Sequence, residues 1–312
     1  MKSEEEKWLT FYSNTMHELV DIGVTISIDL MKNEDLNKIN NFSGYMYLKN
    51  LLEILDSISI NIANGITGTS TKTLNRVALE YFFGAYYLFI KKTHYQKKCK
   101  DIAFISILEE RKGFEPFYKE NLKKTSEKLK NQYKIDVGSK LSNIDYSKNQ
   151  KKYDQLLNHS DFKEVKNEYT RTKNKDFFKY KNIVPWYSLW DGPNNIEILS
   201  RQTETWNIYD SLYRNFSLYL HGHKTIEINR IHKDSKGTLF TYAIGTPYEL
   251  NFITSPFIYI CHYLFHKILN DYIIEKDELM IRLDEVLLNY FKYNPKEDPF
   301  DPITNSFKPF PE

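Results

Sequence analysis

The stretch STKTLNRVALEYFFGAYYLFIKK, residues 70–92, decides the fold. On a helical wheel it is apolar nearly all round, with Leu74, Val77, Leu79, Phe82, Phe83, Tyr86 and Leu88 covering every side. A helix of that kind is buried, so other helices must surround it. The spacing predicts a helix over Lys72–Lys92, with Ser70 or Thr71 as its N-cap. Outward from it, Glu5–Met31 carries Trp8, Phe11, Tyr12, Met16 and Leu19 at helical spacing, and Asn41–Ile62 sets Leu48, Leu51, Leu52, Leu55 and Ile58 on one stripe. Towards the C-terminus the pattern predicts helices over Ile196–Gln202, Glu204–Leu220, Ser255–Tyr272 and Lys276–Phe291, with a short strand pair around Gly237–Ile244. Prolines 295, 299, 302, 309 and 311 predict an extended tail. The expectation is an all-α helical bundle built from 1–92 and 182–293, interrupted by a helical insert over 93–181 and followed by a tail over 294–312.

Composition narrows the function classes. The 312 residues hold 43 basic and 41 acidic side chains, for a net charge of +2. That balance hides a local excess, because residues 91–181 alone hold 24 basic and 13 acidic side chains. Lysines in this insert interleave with Phe114, Tyr118, Tyr133, Phe162, Phe177, Phe178 and Tyr180. Two readings stand: lysines on phosphates with aromatic faces on unpaired bases, or a solvated lysine-rich insert whose aromatics face a core. Only two cysteines, Cys99 and Cys261, exclude a disulfide framework and a cysteine-rich zinc site. The acidic start MKSEEEKWLTFY is unlike a signal peptide. Val77–Ile90 is too short to span a bilayer, and Phe252–Ile274 is broken by Pro256, His262, His266, Lys267 and Asp271. A soluble, cytoplasmic protein with no membrane partner is expected.

Chemistry concentrates in WNIYDSLYRNFSLYLHGH, residues 206–223. Arg214 and His221 are seven residues apart, about 20° short of two helical turns, so they share a face, with Ser217 between them. Gly222 is a natural C-cap, which sets His221 at the negative end of the helix dipole. A permanent cation, a hydroxyl and an imidazole on one stripe suit phosphodiester chemistry. Arg76 and Glu80, at i,i+4 in the apolar helix, must be paired if buried. They are read either as a structural ion pair or as groups that orient Arg214 or His221. His262 and His266 have zinc-compatible spacing but no His-Glu-x-x-His, and are read as part of an aromatic-faced core helix. His221 and His223 could meet a metal only through a loop. No phosphate-binding glycine loop is present in the sequence. No metal and no cofactor are expected.

Arg214-Asn215-(five residues)-His221 resembles the Arg-polar-x(3–5)-His signature of the HEPN superfamily. Those proteins are helical bundles, often metal-independent RNases of toxin–antitoxin and antiphage systems. A wider pattern resembles a family of uncharacterised bacterial helical proteins: Arg76-x-x-x-Glu80, then Trp190 and Gly192, then Tyr213-Arg-x-x-Ser-x-x-x-His-Gly222. The resemblance implies attack by the substrate's 2′-hydroxyl to leave a cyclic phosphate. His221 would be the general acid or base, and Arg214 would stabilise transition-state charge. Asn215, Ser217, Tyr213, Arg76, Glu80 and His223 would support or bind. It also implies RNA as ligand, a homodimer, and a possible antitoxin or defence-system partner. A non-catalytic RNA or nucleotide binder and a structural or interaction subunit are the alternatives.

Overall fold

The computed structural model describes residues 4–32, 41–135, 147–220, 231–233, 238–241 and 250–293. The fold is all-α. Its helices are α1 (Glu4–Lys32), α2 (Asn41–Ala63), α3 (Thr69–Phe89), α4 (Tyr95–Phe114), α5 (Lys119–Tyr133), α6 (Ser147–Leu157), α7 (Lys163–Lys173), α8 (Asp176–Lys179), α9 (Ile196–Gln202), α10 (Trp206–Ile208), α11 (Arg214–Leu220), α12 (Leu250–Tyr272) and α13 (Asp277–Tyr293). A short antiparallel ribbon, β1 (Ile231–Lys233) with β2 (Leu239–Thr241), pairs His232 with Phe240. None of the described helices is long and apolar enough to cross a membrane.

The described residues form two compact units. One takes α1, α2 from Gly44, α3 and the elements from Ile196 onward. The other is built chiefly from His94–Asn195. Residues 182–195, expected in the C-terminal bundle, therefore belong to the second unit. The reason is local: the Trp190 indole and amide bond to carboxylates of α4 and α7.

In the first unit α3 is the central helix. Ala78, Leu79, Phe82, Phe83 and Leu88 have no exposed surface. It packs on α9, α11 and α12, while α1 runs along α12 and α13. Gly84 lets Tyr47 of α2 cross closely: a Cβ there would lie 2.0 Å from the Tyr47 hydroxyl. The helix starts earlier than its polar residues suggest. Gly68 is the N-cap, and Thr71 lies inside, its hydroxyl donating to the Ile66 carbonyl and accepting from Asn61 at 3.2 Å. α12 also starts five residues before the expected Ser255 and continues through Pro256. Proline removes one helical donor. The buried Asn75 amide, donating to the Ile253 carbonyl at 3.1 Å, binds the backbone beside that gap.

In the second unit α4 packs against α6 and α7. Phe162 and Phe178 are buried, and Phe104 meets both Phe162 and Tyr169. The insert's aromatics thus divide. These rings form a core, whereas Phe117, Tyr133, Phe177 and Tyr180 are exposed.

Candidate functional site

The expected single helix over 204–220 is broken. Glu204 has a left-handed backbone (φ 59°), so helix begins only at Trp206. Tyr209–Tyr213 is then a π-helical turn leading into α11. Such turns hold an extra residue and recur at functional sites. Here the turn sits in a ladder of aromatic rings. Arg201 lies 3.5 Å from the Trp206 ring centroid, Trp206 stacks on Tyr209 at 5.2 Å, and Tyr209 on Tyr213 at 5.1 Å. Phe83 of α3 meets Tyr213 edge-on at 6.1 Å.

Tyr213 belongs to a polar seam between α3 and α11. Arg76 pairs with Glu80 at 2.9 Å, donates to the Tyr213 hydroxyl at 2.9 Å and donates to Ser217 Oγ at 3.2 Å. The Tyr213 hydroxyl donates to Glu80 at 2.7 Å, and Ser217 donates to the Tyr213 carbonyl at 2.7 Å. Each of these hydroxyl protons has its acceptor. One turn earlier, Lys72, which has no exposed surface, donates to the Tyr219 hydroxyl at 2.9 Å and lies 4.4 Å from that ring's centroid. Residues 72, 76 and 80 of α3 thus meet 219 and 217 of α11 and 213 of the π turn in antiparallel order. Burial, then the Glu80 carboxylate, raises the Tyr213 phenol above its ordinary value. The phenol stays protonated and keeps donating. Asn75, beside this seam on α3, has a buried Oδ1 with no hydrogen-bond partner.

The seam gathers four of the residues singled out from sequence: Arg76, Glu80, Tyr213 and Ser217. Glu80 bonds Arg76 and Tyr213, not Arg214. Sequence reasoning missed Lys72 and Tyr219, although a charged residue every fourth position in an apolar helix was their signal. Arg214 faces another way. Its side chain is 64% exposed and donates to Asp210 at 2.6 Å, which raises its already high pKa. Asn215 is half-buried on the same helix. His221, Gly222 and His223 lie outside the described residues, as does the geometry of the Arg214–His221 pair.

The second unit holds its own polar centre, at the Trp190–Gly192 turn. Trp190 and Asp191 both have left-handed backbones (φ 58° and 59°). Gly192 follows because a Cβ there would lie 2.0 Å from the Tyr187 carbonyl oxygen. The Trp190 indole donates to both oxygens of buried Asp101, at 3.0 and 3.1 Å, and its backbone amide donates to Glu168 at 2.8 Å. Glu168 also accepts from Thr172 and, through both oxygens, from Arg171. Burial raises its pKa, but Arg171, Thr172 and the Trp190 amide outweigh that and hold it below the usual value. Asp101 differs. Burial pushes it up to about 7 against the opposing pull of the indole and Lys97. Lys175 and Arg171 hold Asp191 at 2.5 and 3.0 Å.

Other candidates are placed plainly. His262 bonds Asp284 at 2.9 Å and His266 bonds Asn270 at 2.9 Å. Among the described residues no group of three or more His, Cys, Asp or Glu side chains could hold a metal ion. Cys99 and Cys261 are buried and not joined in a disulfide, and burial raises the Cys261 thiol, which disfavours a nucleophilic role.

A family model matches residues 45–238, a stretch that contains the seam, the Trp190 turn and His221. The chain belongs to a family of unknown function, DUF5677. No curated protein and no solved structure matches it. Family membership therefore brings no activity with it, and the functional reading rests on the residues above.

Proposed function

We propose that the protein is a metal-independent endoribonuclease, acting through Arg214 and His221. The observation that supports this most is the contrast between two arginines one helix apart. Arg76 is largely covered and bonds Glu80, Tyr213 and Ser217, whereas Arg214 stands in solvent, held by an exposed i,i+4 pair. An exposed pair of this kind is weak, so a phosphate can replace Asp210 at little cost.

In this reading the 2′-oxygen of the substrate forms a bond to phosphorus and the bond to the 5′-oxygen breaks. A cyclic phosphate and a free 5′-hydroxyl result. His221 moves the proton, and Arg214 stabilises the extra negative charge of the transition state. Arg76, Glu80, Tyr213 and Ser217 are positioning residues that fix α11 on α3. A homodimer that completes the site, a toxin or antiphage role, and an antitoxin or defence-system partner belong to the same proposal. The test is cleavage of RNA in EDTA by wild type, Arg214→Ala and His221→Ala, with product ends analysed. Cyclic phosphate ends from wild type, lost in both variants, are expected. Absence of cutting, or cutting that survives both changes, overturns the reading.

A further inference from the structure

We propose that Phe177–Lys181 is a stacking platform for single-stranded nucleic acid. The segment displays two large rings to solvent. Phe177 is 47% exposed and Tyr180 89%, while Phe178 between them is buried. Phe178 is thus the anchor, and Phe177 stands edge-on against it at 5.0 Å.

The display is rigid. The Lys173 ammonium donates to the carbonyls of Phe178 at 3.0 Å, Lys179 at 3.4 Å and Lys181, closing the end of α8. Lys112 donates to the next carbonyl, Asn182, at 2.6 Å. Four backbone acceptors around Tyr180 are therefore tied down by two lysines. Exposure of this ring is a property of an ordered turn, where an apolar surface has nothing to cover it.

Charge selects the partner. Residues 94–195 hold 22 basic and 14 acidic side chains, and 173–181 hold four lysines against one aspartate. Lys179 and Lys181 flank the exposed rings, their ammonium groups 5.8 Å from the Tyr180 centroid and 4.1 Å from that of Phe177. Exposed lysine–ring contacts are weak and exchange readily with a phosphate. Protein interfaces are depleted in lysine, whereas aromatic rings alternating with lysines suit unpaired bases joined by phosphates. Duplex is disfavoured because its bases already stack on each other. The inference rests on the RNA-directed reading above for the kind of partner, and on the geometry of this turn for the place.

The test uses the full chain, a fluorescein-labelled uridine 15-mer and its 2′-deoxy counterpart, which 2′-hydroxyl attack cannot cut. Binding is followed by anisotropy between 50 and 200 mM salt. Phe177→Ala with Tyr180→Ala is expected to weaken both probes by about tenfold or more, at unchanged thermal stability. Lys179→Gln with Lys181→Gln is expected to flatten the log–log salt slope by about 1.4, the value for two single-strand phosphates. A duplex of equal length should be indifferent to the ring substitutions. Failure of wild type to bind either probe, or binding unchanged by the ring substitutions, overturns the platform. So does capture by phosphatidylserine vesicles that is lost in the ring variant while oligonucleotide binding is kept. The ribonuclease reading fails separately: the deoxy probe reports the platform whether or not any RNA is cut.

Discussion

The seam on α3 and the turn at Trp190 solve one problem in opposite ways. Both place carboxylates among aromatic donors. In the seam, helical backbone does the positioning, including the π turn that carries Tyr213: Glu80 is half-open, and Arg76 balances its charge within 3 Å. In the turn, Asp101 is buried, its hydrogen bonds come from one indole N–H, and the backbone above it is left-handed at two successive non-glycine residues. Such backbones cost of order 1–3 kcal/mol each and persist only where the surroundings over-determine them. Here Asp101, Glu168, Arg171 and Lys175 supply that determination. The seam is therefore a network on unstrained helical backbone, whereas the turn holds a strained backbone through several contacts at once.

A change of pH acts on the Trp190 turn through Asp101. Asp101 has its pKa pushed up to about 7, against an ordinary value near 4. Between those values the folded protein holds this proton more tightly than the unfolded chain. Its contribution to stability is therefore full below about pH 4 and is lost as pH rises through about 7, by at most about 4 kcal/mol. Urea denaturation between pH 4 and 8 should show wild type losing stability relative to Asp101→Asn across that window. A constant difference, or one of opposite sign, would refute it.

Steric demand comes next. Gly192→Ala forces a methyl group against the Tyr187 carbonyl, and backbone cannot swing aside as a side chain can. A loss of about 3 kcal/mol is expected, read by denaturant midpoint together with the near-ultraviolet signal of the neighbouring tryptophans. Retention of both would mean the turn relaxes freely, and the over-determination argued for it would be wrong.

Within the seam the effect is smaller. Arg76→Ala removes the partner of Glu80 and the donor to Ser217, for a loss of about 2 kcal/mol. Arg76→Lys should not restore it, since an ammonium cannot reproduce the planar fork that meets Ser217 and Tyr213 together. Full rescue by lysine would reduce the seam to simple charge pairing.

What the sequence revealed follows the same division. The all-apolar α3 and the pair Arg76–Glu80 were legible because helical spacing reports which residues share a face. Tyr213 and Ser217 were legible as motif residues, though not as partners of α3. The π turn was not legible, since its extra residue leaves no mark on composition. Nor was the left-handed Trp190–Asp191 backbone, because tryptophan does not favour it and side chains distant in sequence impose it. The start of α12 was missed as well: the helix begins at Leu250, five residues before Ser255, and runs through Pro256. The Arg214–His221 stripe assumed a face shared with Ser217. Ser217 bonds Arg76 instead, and Arg214 turns to solvent.

That last residue yields the smallest stability effect and the most discriminating one. Arg214 is exposed and bonds its own helix neighbour Asp210, so Arg214→Ala should leave the denaturant midpoint essentially unchanged. Arg76→Ala should lower it clearly. If Arg214 acts on a phosphodiester, activity must run in the reverse order of stability: the Arg214 variant folds as wild type and cuts no RNA, while the Arg76 variant, assayed below its lowered melting point, retains cutting in proportion to the folded fraction. Measured side by side, the two variants separate a positioning arginine from a catalytic one without any assumption about substrate sequence. Wild-type activity in the Arg214 variant, or activity that tracks stability alone, would move Arg214 back among ordinary surface residues and leave the seam as the polar feature α11 exists to make.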